Sequence, residues 1–309
     1  QQTHSYARHL PPGTTMMDFG GWGTPIAYGG VVVEHTAVRQ AVGLFDVSHM
    51  GKVRIHGPGA VDFLNAVLAN DLGRIENGQA QYSMLCNDDG GVIDDLIVYR
   101  WSDDEVFMIP NAANAATVVA VLQGAAPAEV SVDDHHGDHG IIAVQGPRSA
   151  DLMRAMGLPA DHDYMTMVSA QFAGEPLIVC RTGYTGEHGY ELVAPAGVLV
   201  ELWDTLLATG ADLGAVPAGL GAREIEAVGR VGDRNRTGER VAGIVRTAVG
   251  RSEGRHRAVA GELVERAAMG EHDVGGPRLE AAQQFEQPVR RQIGRELREA
   301  DDVRKQHGN

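Results

Sequence analysis

Cysteine is scarce in this chain of 309 residues, which holds two, Cys86 and Cys180. Both sit in apolar, strand-like runs without the spacing of metal ligands. This excludes a disulfide-held scaffold and a zinc-cysteine site, and points to buried free thiols in a reducing cytosol. Long apolar runs are missing too: no stretch could cross a bilayer, and the start shows no signal-peptide pattern. A cytoplasmic protein without a membrane partner is therefore expected. Positive charge is short, with 26 Lys+Arg against 41 Asp+Glu and a formal net charge of −15. That balance argues against nucleic acid as a partner. What remains, 43% hydrophobic and 22% charged residues, is ordinary for a globular chain with room for two domains or one large one.

The scarcities are unevenly spread. Residues 1–223 hold 10 Lys+Arg against 26 Asp+Glu, whereas residues 224–309 hold 16 against 15. All seven Tyr and all three Trp lie in the first part, and Phe285 is the only aromatic in the second. Leu, Ile, Val and Phe supply 17 of the last 86 residues, close to the level at which a packed core becomes doubtful. Two kinds of sequence meet near Arg223.

The first part alternates between strand-like and helix-like stretches. Helices are expected over 34–42, stopped by Gly43, after Pro58, over 111–122 and over 150–156. Strands are expected over 52–55, 81–86, 92–101, 106–109, 130–133 and 141–144. One pattern recurs: Val53-Arg54-Ile55-His56-Gly57-Pro58 and Ala143-Val144-Gln145-Gly146-Pro147 each lead into an apolar helix. Proline at the first helical position would suit both, because its missing N–H has no partner there anyway. The repetition points to two related α+β modules.

Four clusters bear on chemistry. In Asn87-Asp88-Asp89-Gly90-Gly91-Val92-Ile93-Asp94-Asp95-Leu96-Ile97-Val98 a polar turn feeds a strand that opens with two carboxylates. Successive side chains on a strand face opposite ways, so one of Asp94 and Asp95 is carried inward, where an ionised carboxylate needs a specific partner. Asp46, Ser48 and His49 have the residue types of a nucleophilic triad, but adjacency in sequence is not triad geometry. A loop that lays Met50 against a flat ligand, with His49 structural, is the better reading. The segment Arg181-Thr182-Gly183-Tyr184-Thr185-Gly186-Glu187-His188-Gly189-Tyr190-Glu191 packs three glycines into a turn between strands. There Tyr184 can stack on a heterocycle and Glu191 can accept paired N–H donors. The fourth, Asp133-Asp134-His135-His136-Gly137-Asp138-His139, lacks the helical His spacing of a metal site, and no metal is expected.

Taken together with Met17-Asp18-Phe19-Gly20-Gly21-Trp22, Gly43-Leu44-Phe45-Asp46-Val47-Ser48-His49-Met50-Gly51 and Gly219-Leu220-Gly221-Ala222-Arg223, these motifs resemble the aminomethyltransferase of the glycine cleavage system, the T-protein family, from about residue 14 to 223. The resemblance implies an α+β fold with two lobes, the first (1–50 and 140–223) interrupted by the second (51–139), and a C-terminal β-barrel lobe closing a three-lobed disc around tetrahydrofolate. It implies transfer of a one-carbon unit from the aminomethyl-lipoyl arm of the H-protein to tetrahydrofolate, with release of ammonia. By position Asp95 matches the essential aspartate, Glu191 the partner of the pterin and Arg223 the partner of the glutamyl carboxylate. Tyr184, Tyr82, Asn111 and Met50 match further residues lining the folate cavity. A folate-dependent demethylase and a non-catalytic folate binder are the alternatives within the same resemblance.

The resemblance stops at the compositional boundary. The family continues with a Leu-Arg-Leu-Glu helix and an aromatic-containing barrel, whereas this chain reads Glu224-Ile225-Glu226-Ala227-Val228-Gly229-Arg230 and then an Arg/Gly/Ala/Glu-rich stretch. Translation out of frame from about residue 224 explains both facts. A genuine alternative tail, partly helical over 279–305, is the second explanation. Either way the chain as written is expected to bind tetrahydrofolate weakly and to turn over poorly.

Overall fold

The computed structural model describes residues 14–19 and 21–223. The expectations for residues 224–309 lie outside the described residues. In chain order the elements are β1 (Thr15–Phe19), β2 (Trp22–Ala27), α1 (Val31–Gln40), β3 (Val42–Asp46), β4 (Val53–His56), α2 (Ala60–Val67), β5 (Ala80–Cys86), β6 (Val92–Ser102), β7 (Glu105–Ile109), α3 (Ala115–Ala125), β8 (Ser131–Asp134), β9 (His139–Gln145), α4 (Ser149–Ala155), β10 (Met167–Phe172), β11 (Glu175–Cys180), β12 (Gly189–Pro195), α5 (Leu199–Gly210) and β13 (Ala215–Pro217). A 3-10 turn over Leu220–Arg223 ends the described chain.

Strands form a six-stranded sheet in the order β10-β11-β12-β9-β3-β13, a five-stranded sheet in the order β5-β6-β7-β4-β8 and the hairpin β1-β2. All pairings are antiparallel except β13 with β3. Each sheet packs helices on its outer face. Leu199, Leu202, Trp203 and Leu206 of α5 recur at helical spacing and are buried on Val144, Val179 and Leu192 of the six-stranded sheet. Leu64 of α2 and Val118 and Leu122 of α3 do the same on Val53, Leu96, Val98 and Met108 of the other. The inner faces meet through a third cluster, with Ala80, Ile97, Tyr99, Phe107 and Ile109 from one sheet and Ile141, Met167, Cys180 and Val193 from the other. The described residues are thus layered helix, sheet, sheet, helix, with the middle layers packed side chain to side chain, and α1 packs Val38 on Phe45 and Ala143.

Several local expectations need correction. Helix α1 begins at Val31 and ends at Gln40, not at 42. Val42 and Gly43 instead pair with Ala215, Val216 and Gln145, so tertiary pairing overrides the local helical pattern. The third helix starts at Ala115, leaving Asn111 in the preceding loop. Neither proline of the recurring motif is the first helical residue, because the N-caps are Gly59 and Arg148. What the two units share is the glycine. Gly57 and Gly146 have φ of 123° and 138°, and a Cβ on either would sit 2.1 Å from the Glu129 carbonyl oxygen or 2.4 Å from that of Ala41. Cys180 is buried, but Cys86 is only half-buried.

Candidate functional site

Strand β6 is apolar from Leu96 to Tyr99, where both its faces are covered. Leu96 and Val98 join the helix-side cluster, whereas Ile97 and Tyr99 join the cluster between the sheets. Counting back by twos places Asp94 on the helix side and Asp95 on the inter-sheet side. Asp94 is 1% exposed. Its Oδ2 accepts from the backbone N–H of Asn111 at 2.9 Å, and its Oδ1 accepts from Asn111 Nδ2 at 3.0 Å and Asn114 Nδ2 at 2.5 Å. Burial pushes the Asp94 carboxyl above the usual range, and these three donors oppose that shift. The inward carboxylate of the pair is therefore Asp94, which ties the 111–114 loop to β6. Asp95 is exposed. Asn111 Nδ2 also donates to the Asp95 backbone carbonyl at 2.6 Å and to Asp95 Oδ1 at 3.3 Å. Asn111 thus couples a structural aspartate to an accessible one. Tyr82 is 45% exposed and pairs across the ladder with Ile97, which puts it on the same face as Asp95.

The facing sheet supplies Glu191. In β12, Tyr190 and Leu192 join the outer core, and Val193 joins the inter-sheet cluster. Glu191 is half-buried on the latter side, paired with Cys180 and Ala143. Its Oε2 accepts from Thr182 Oγ1 at 2.5 Å, and Thr182 Oγ1 lies 3.0 Å from the hydroxyl of Tyr99 on the other sheet. Burial raises the Glu191 carboxyl, while the Thr182 donor and the Arg223 guanidinium pull it down. Arg223 also lies over the ring of Tyr184, 5.3 Å from its centroid, and Tyr184 is 69% exposed. A cation over an exposed aromatic face is a modest attraction that holds both groups in place. Met50 is half-buried and packs against the inter-sheet cluster.

Two buried polar side chains hold this arrangement. Gln145, fully buried, donates from Nε2 to the carbonyls of Thr182 (3.2 Å) and Tyr190 (3.1 Å) and accepts from Thr185 Oγ1 at 2.9 Å. A Cβ on Gly183 would be 2.1 Å from Gln145 Oε1, and one on Gly189 would be 2.4 Å from its Nε2. Two of the three glycines in that turn therefore make room for one glutamine. Glu34, 3% exposed, accepts at Oε1 from the N–H groups of Tyr28, Gly29 and Gly30 and at Oε2 from Gly219. The next residue, His35, contacts the Ala222 carbonyl through Nδ1 at 2.8 Å. Helix α1 thereby clasps the turn that presents Arg223.

The remaining clusters are structural. Asp46 Oδ1 accepts from the Ser48 N–H at 2.9 Å, and Ser48 Oγ accepts from the Ile141 N–H at 3.1 Å. The Ser48 hydroxyl is bound to backbone and is not poised as a nucleophile. His49 is buried, and desolvation lowers its pKa to about 4. His136 stacks on Trp22 with ring centroids 5.0 Å apart, and its Nε2 contacts the His49 carbonyl at 3.1 Å. Among the described residues no group of three or more His, Cys, Asp or Glu could hold a metal ion, and no helix is long and apolar enough to cross a membrane.

Residues 5–228 match the family described as the GCVT N-terminal domain. The chain belongs to that family. An aminomethyltransferase of Frankia alni is 57% identical over 221 residues, covering 71% of this chain and 60% of the relative. An aminomethyltransferase of Mycobacterium tuberculosis is 54% identical over 217 residues, covering 70% and 59%. The crystal structure of glycine cleavage system aminomethyltransferase T from Bartonella henselae superposes with a TM-score of 0.67 at 34% identity, covering 72% of this chain and 61% of that one. This member of the GCVT family thus spans about 60% of the length of the curated relatives it matches.

Thr182, Tyr99 and Gln145 are parts of this site that sequence reasoning passed over. Gln145 stands in a motif read for the proline and the helix that follow it. Thr182 stood beside residues chosen for their charge or ring. Tyr99 lies in the strand expected over 92–101, and nothing local marks the partner it finds across the sheets.

Proposed function

We propose that this GCVT-family chain carries the folate-binding part of an aminomethyltransferase of the glycine cleavage system. One observation carries the reading: Asp95 and Glu191 come from different sheets, and both lie on the inner faces. Asn111 donates to the first, and the charge of Arg223 acts on the second. Two carboxylates, a guanidinium and two exposed tyrosines suit a flat, N–H-bearing heterocycle with an anionic tail. In this reading Glu191 pairs with the pterin, Arg223 with the glutamyl carboxylate, and Tyr184, Tyr82, Asn111 and Met50 line the cavity of a cytoplasmic enzyme. Residues 1–50 with 140–223, and residues 51–139, act as its two lobes.

Asp95 is the catalytic residue in this account. The carbon of the aminomethyl-lipoyl arm forms bonds to two folate nitrogens while its bonds to nitrogen and sulfur break, releasing ammonia and the dihydrolipoyl arm to the H-protein. A carboxylate beside the attacking amine fixes its geometry and stabilises the positive charge that develops on nitrogen. The match to the GCVT N-terminal domain ends at residue 228, and the chain as written is expected to bind tetrahydrofolate weakly and to turn over slowly.

The test joins residues 1–223 to the C-terminal part of the Frankia alni relative and measures ammonia release from aminomethyl-lipoyl H-protein. Release that depends on tetrahydrofolate and is lost in Asp95→Asn is expected. A chimera that folds and binds tetrahydrofolate but releases no ammonia would make this a non-catalytic folate binder. One that instead demethylates dimethylglycine would make it a folate-dependent demethylase.

A further inference from the structure

A hydrogen-bonded chain joins the two sheets. Tyr99 is fully buried and Thr182 is 2% exposed. The Tyr99 hydroxyl lies 3.0 Å from Thr182 Oγ1, which donates to Glu191 Oε2 at 2.5 Å. The direction of the chain follows from proton count. Thr182 has a single hydroxyl proton, and an ionised carboxylate can only accept. Thr182 therefore donates to Glu191 and must accept from Tyr99. Burial raises the phenol of Tyr99 well above its ordinary value, so at neutral pH it is protonated and can donate. Such a series polarises each bond in it and fixes one oxygen of the carboxylate.

We propose that Tyr99 and Thr182 are positioning residues for Glu191, holding its carboxylate ionised and in one orientation from a fixed donor on the opposite sheet. The proposal deepens the folate-site reading and rests on it for the role of Glu191. A threonine hydroxyl alone could turn toward either neighbour, but the Tyr99 donor, anchored in the inter-sheet cluster, leaves it one way to point. Because Tyr99 belongs to the strand that carries Asp95, the same side chain keys the position of Glu191 to the sheet bearing the proposed catalytic group. The ionisable groups around Glu191 and its relay come from several elements. Arg223 on the C-terminal turn favours the charged form. Cys180 is its ladder partner, and burial pushes that thiol up so that it stays neutral. Tyr82 acts on Tyr99 from the neighbouring strand, and His49 feels Arg223 while remaining neutral through burial.

The experiment is a carbon-13 NMR titration of glutamate carboxyls in the full chain, with Glu191 assigned by Glu191→Gln. It is run on wild type, Thr182→Val, Thr182→Ser and Tyr99→Phe. Thr182→Val should move the Glu191 midpoint upward, and Tyr99→Phe should move it the same way by less. Thr182→Ser should restore the wild-type value. Tetrahydrofolate affinity near neutral pH should fall about tenfold in Thr182→Val, the loss of one hydrogen bond to a charged group. A midpoint unmoved in both Thr182→Val and Tyr99→Phe overturns the proposal. If Thr182→Val does not fold, an unmoved midpoint in the near-isosteric Tyr99→Phe overturns it alone. The titration needs no ligand, so midpoints that move while tetrahydrofolate fails to bind would sink the folate reading and leave the relay standing.

Discussion

The carboxylates of Asp94 and Asp95, neighbours that face opposite sides of one strand, are joined by a single amide: Asn111 Nδ2 lies 3.0 Å from Asp94 Oδ1 and 3.3 Å from Asp95 Oδ1. The buried member organises a loop, and that loop steadies the exposed member. Asp94→Asn should therefore destabilise the fold by about 2 kcal/mol, because an amide now confronts the donors of Asn111 and Asn114. Asp95→Asn should cost little stability but lower turnover of the chimera about 100-fold or more. Urea unfolding and steady-state kinetics on both variants check this. Equal, small effects on turnover from the two substitutions would remove Asp95 from its role.

A second expectation concerns the Gly183 turn. A Cβ at Gly183 collides with Gln145, whereas the backbone there is not in the left-handed region. Gly183→Ala should then cost about 2 kcal/mol through the displaced glutamine and its three hydrogen bonds. In Gln145→Ala the added methyl finds space, so the double variant should be clearly more stable than the two single losses summed. A double-mutant cycle by urea unfolding measures that coupling. Additive losses would mean that the collision does not set the requirement for glycine.

Glu34 satisfies four backbone N–H groups in two segments. Glu34→Ala should destabilise by about 3 kcal/mol or more, since the donors it leaves include buried ones. It should also loosen the turn carrying Arg223, weakening tetrahydrofolate binding without touching a residue of the cavity. Calorimetric titration of a Glu34→Ala protein that remains folded reads this directly.

Stability should fall in mild acid partly through His49. Burial, the largest cause, lowers its pKa to about 4 from the ordinary 6.5, with Asp46 opposing and Arg223, Lys52 and His136 adding to the effect. The unfolded chain takes up the proton first as pH falls. The contribution is therefore fully present above about pH 6.5 and is lost toward pH 4, a change of about 3 kcal/mol. His49→Asn should be less stable than wild type at about pH 7.5, and the gap should narrow at about pH 5. The raised carboxyls of Glu34 and Asp94 act with the opposite sign but are common to both proteins. Urea midpoints that differ by the same amount at both pH values would contradict this.

Much of the fold was legible in the sequence. The strands from Val53 to Gln145 fall close to their expected places, because apolar periodicity and turn glycines act locally there. The misplaced end of α1 and the first-turn prolines show where this fails. Val42 and Gly43 become strand through pairing with residues more than a hundred positions away. Which of Asp94 and Asp95 turns inward could not be read. Leu96-Ile97-Val98-Tyr99 is apolar on both faces, and alternation carries no sign when both sides are covered. Asn111 and Arg223 were named from resemblance, and Glu191 from its glycine turn as well. What they touch, and the side chains behind them (Thr182, Gln145 and Glu34), depend on contacts between elements distant in sequence.

The central claim is that Glu191 and its neighbours bind tetrahydrofolate, and calorimetric titration of the full chain with tetrahydrofolate tests it most directly. The account expects saturable, weak binding by the wild-type chain and a loss of about tenfold or more in Glu191→Gln, in which one of the acceptors for the pterin becomes a donor. Wild-type chain that is folded yet shows no saturable binding, or binding that Glu191→Gln leaves unchanged, would contradict it.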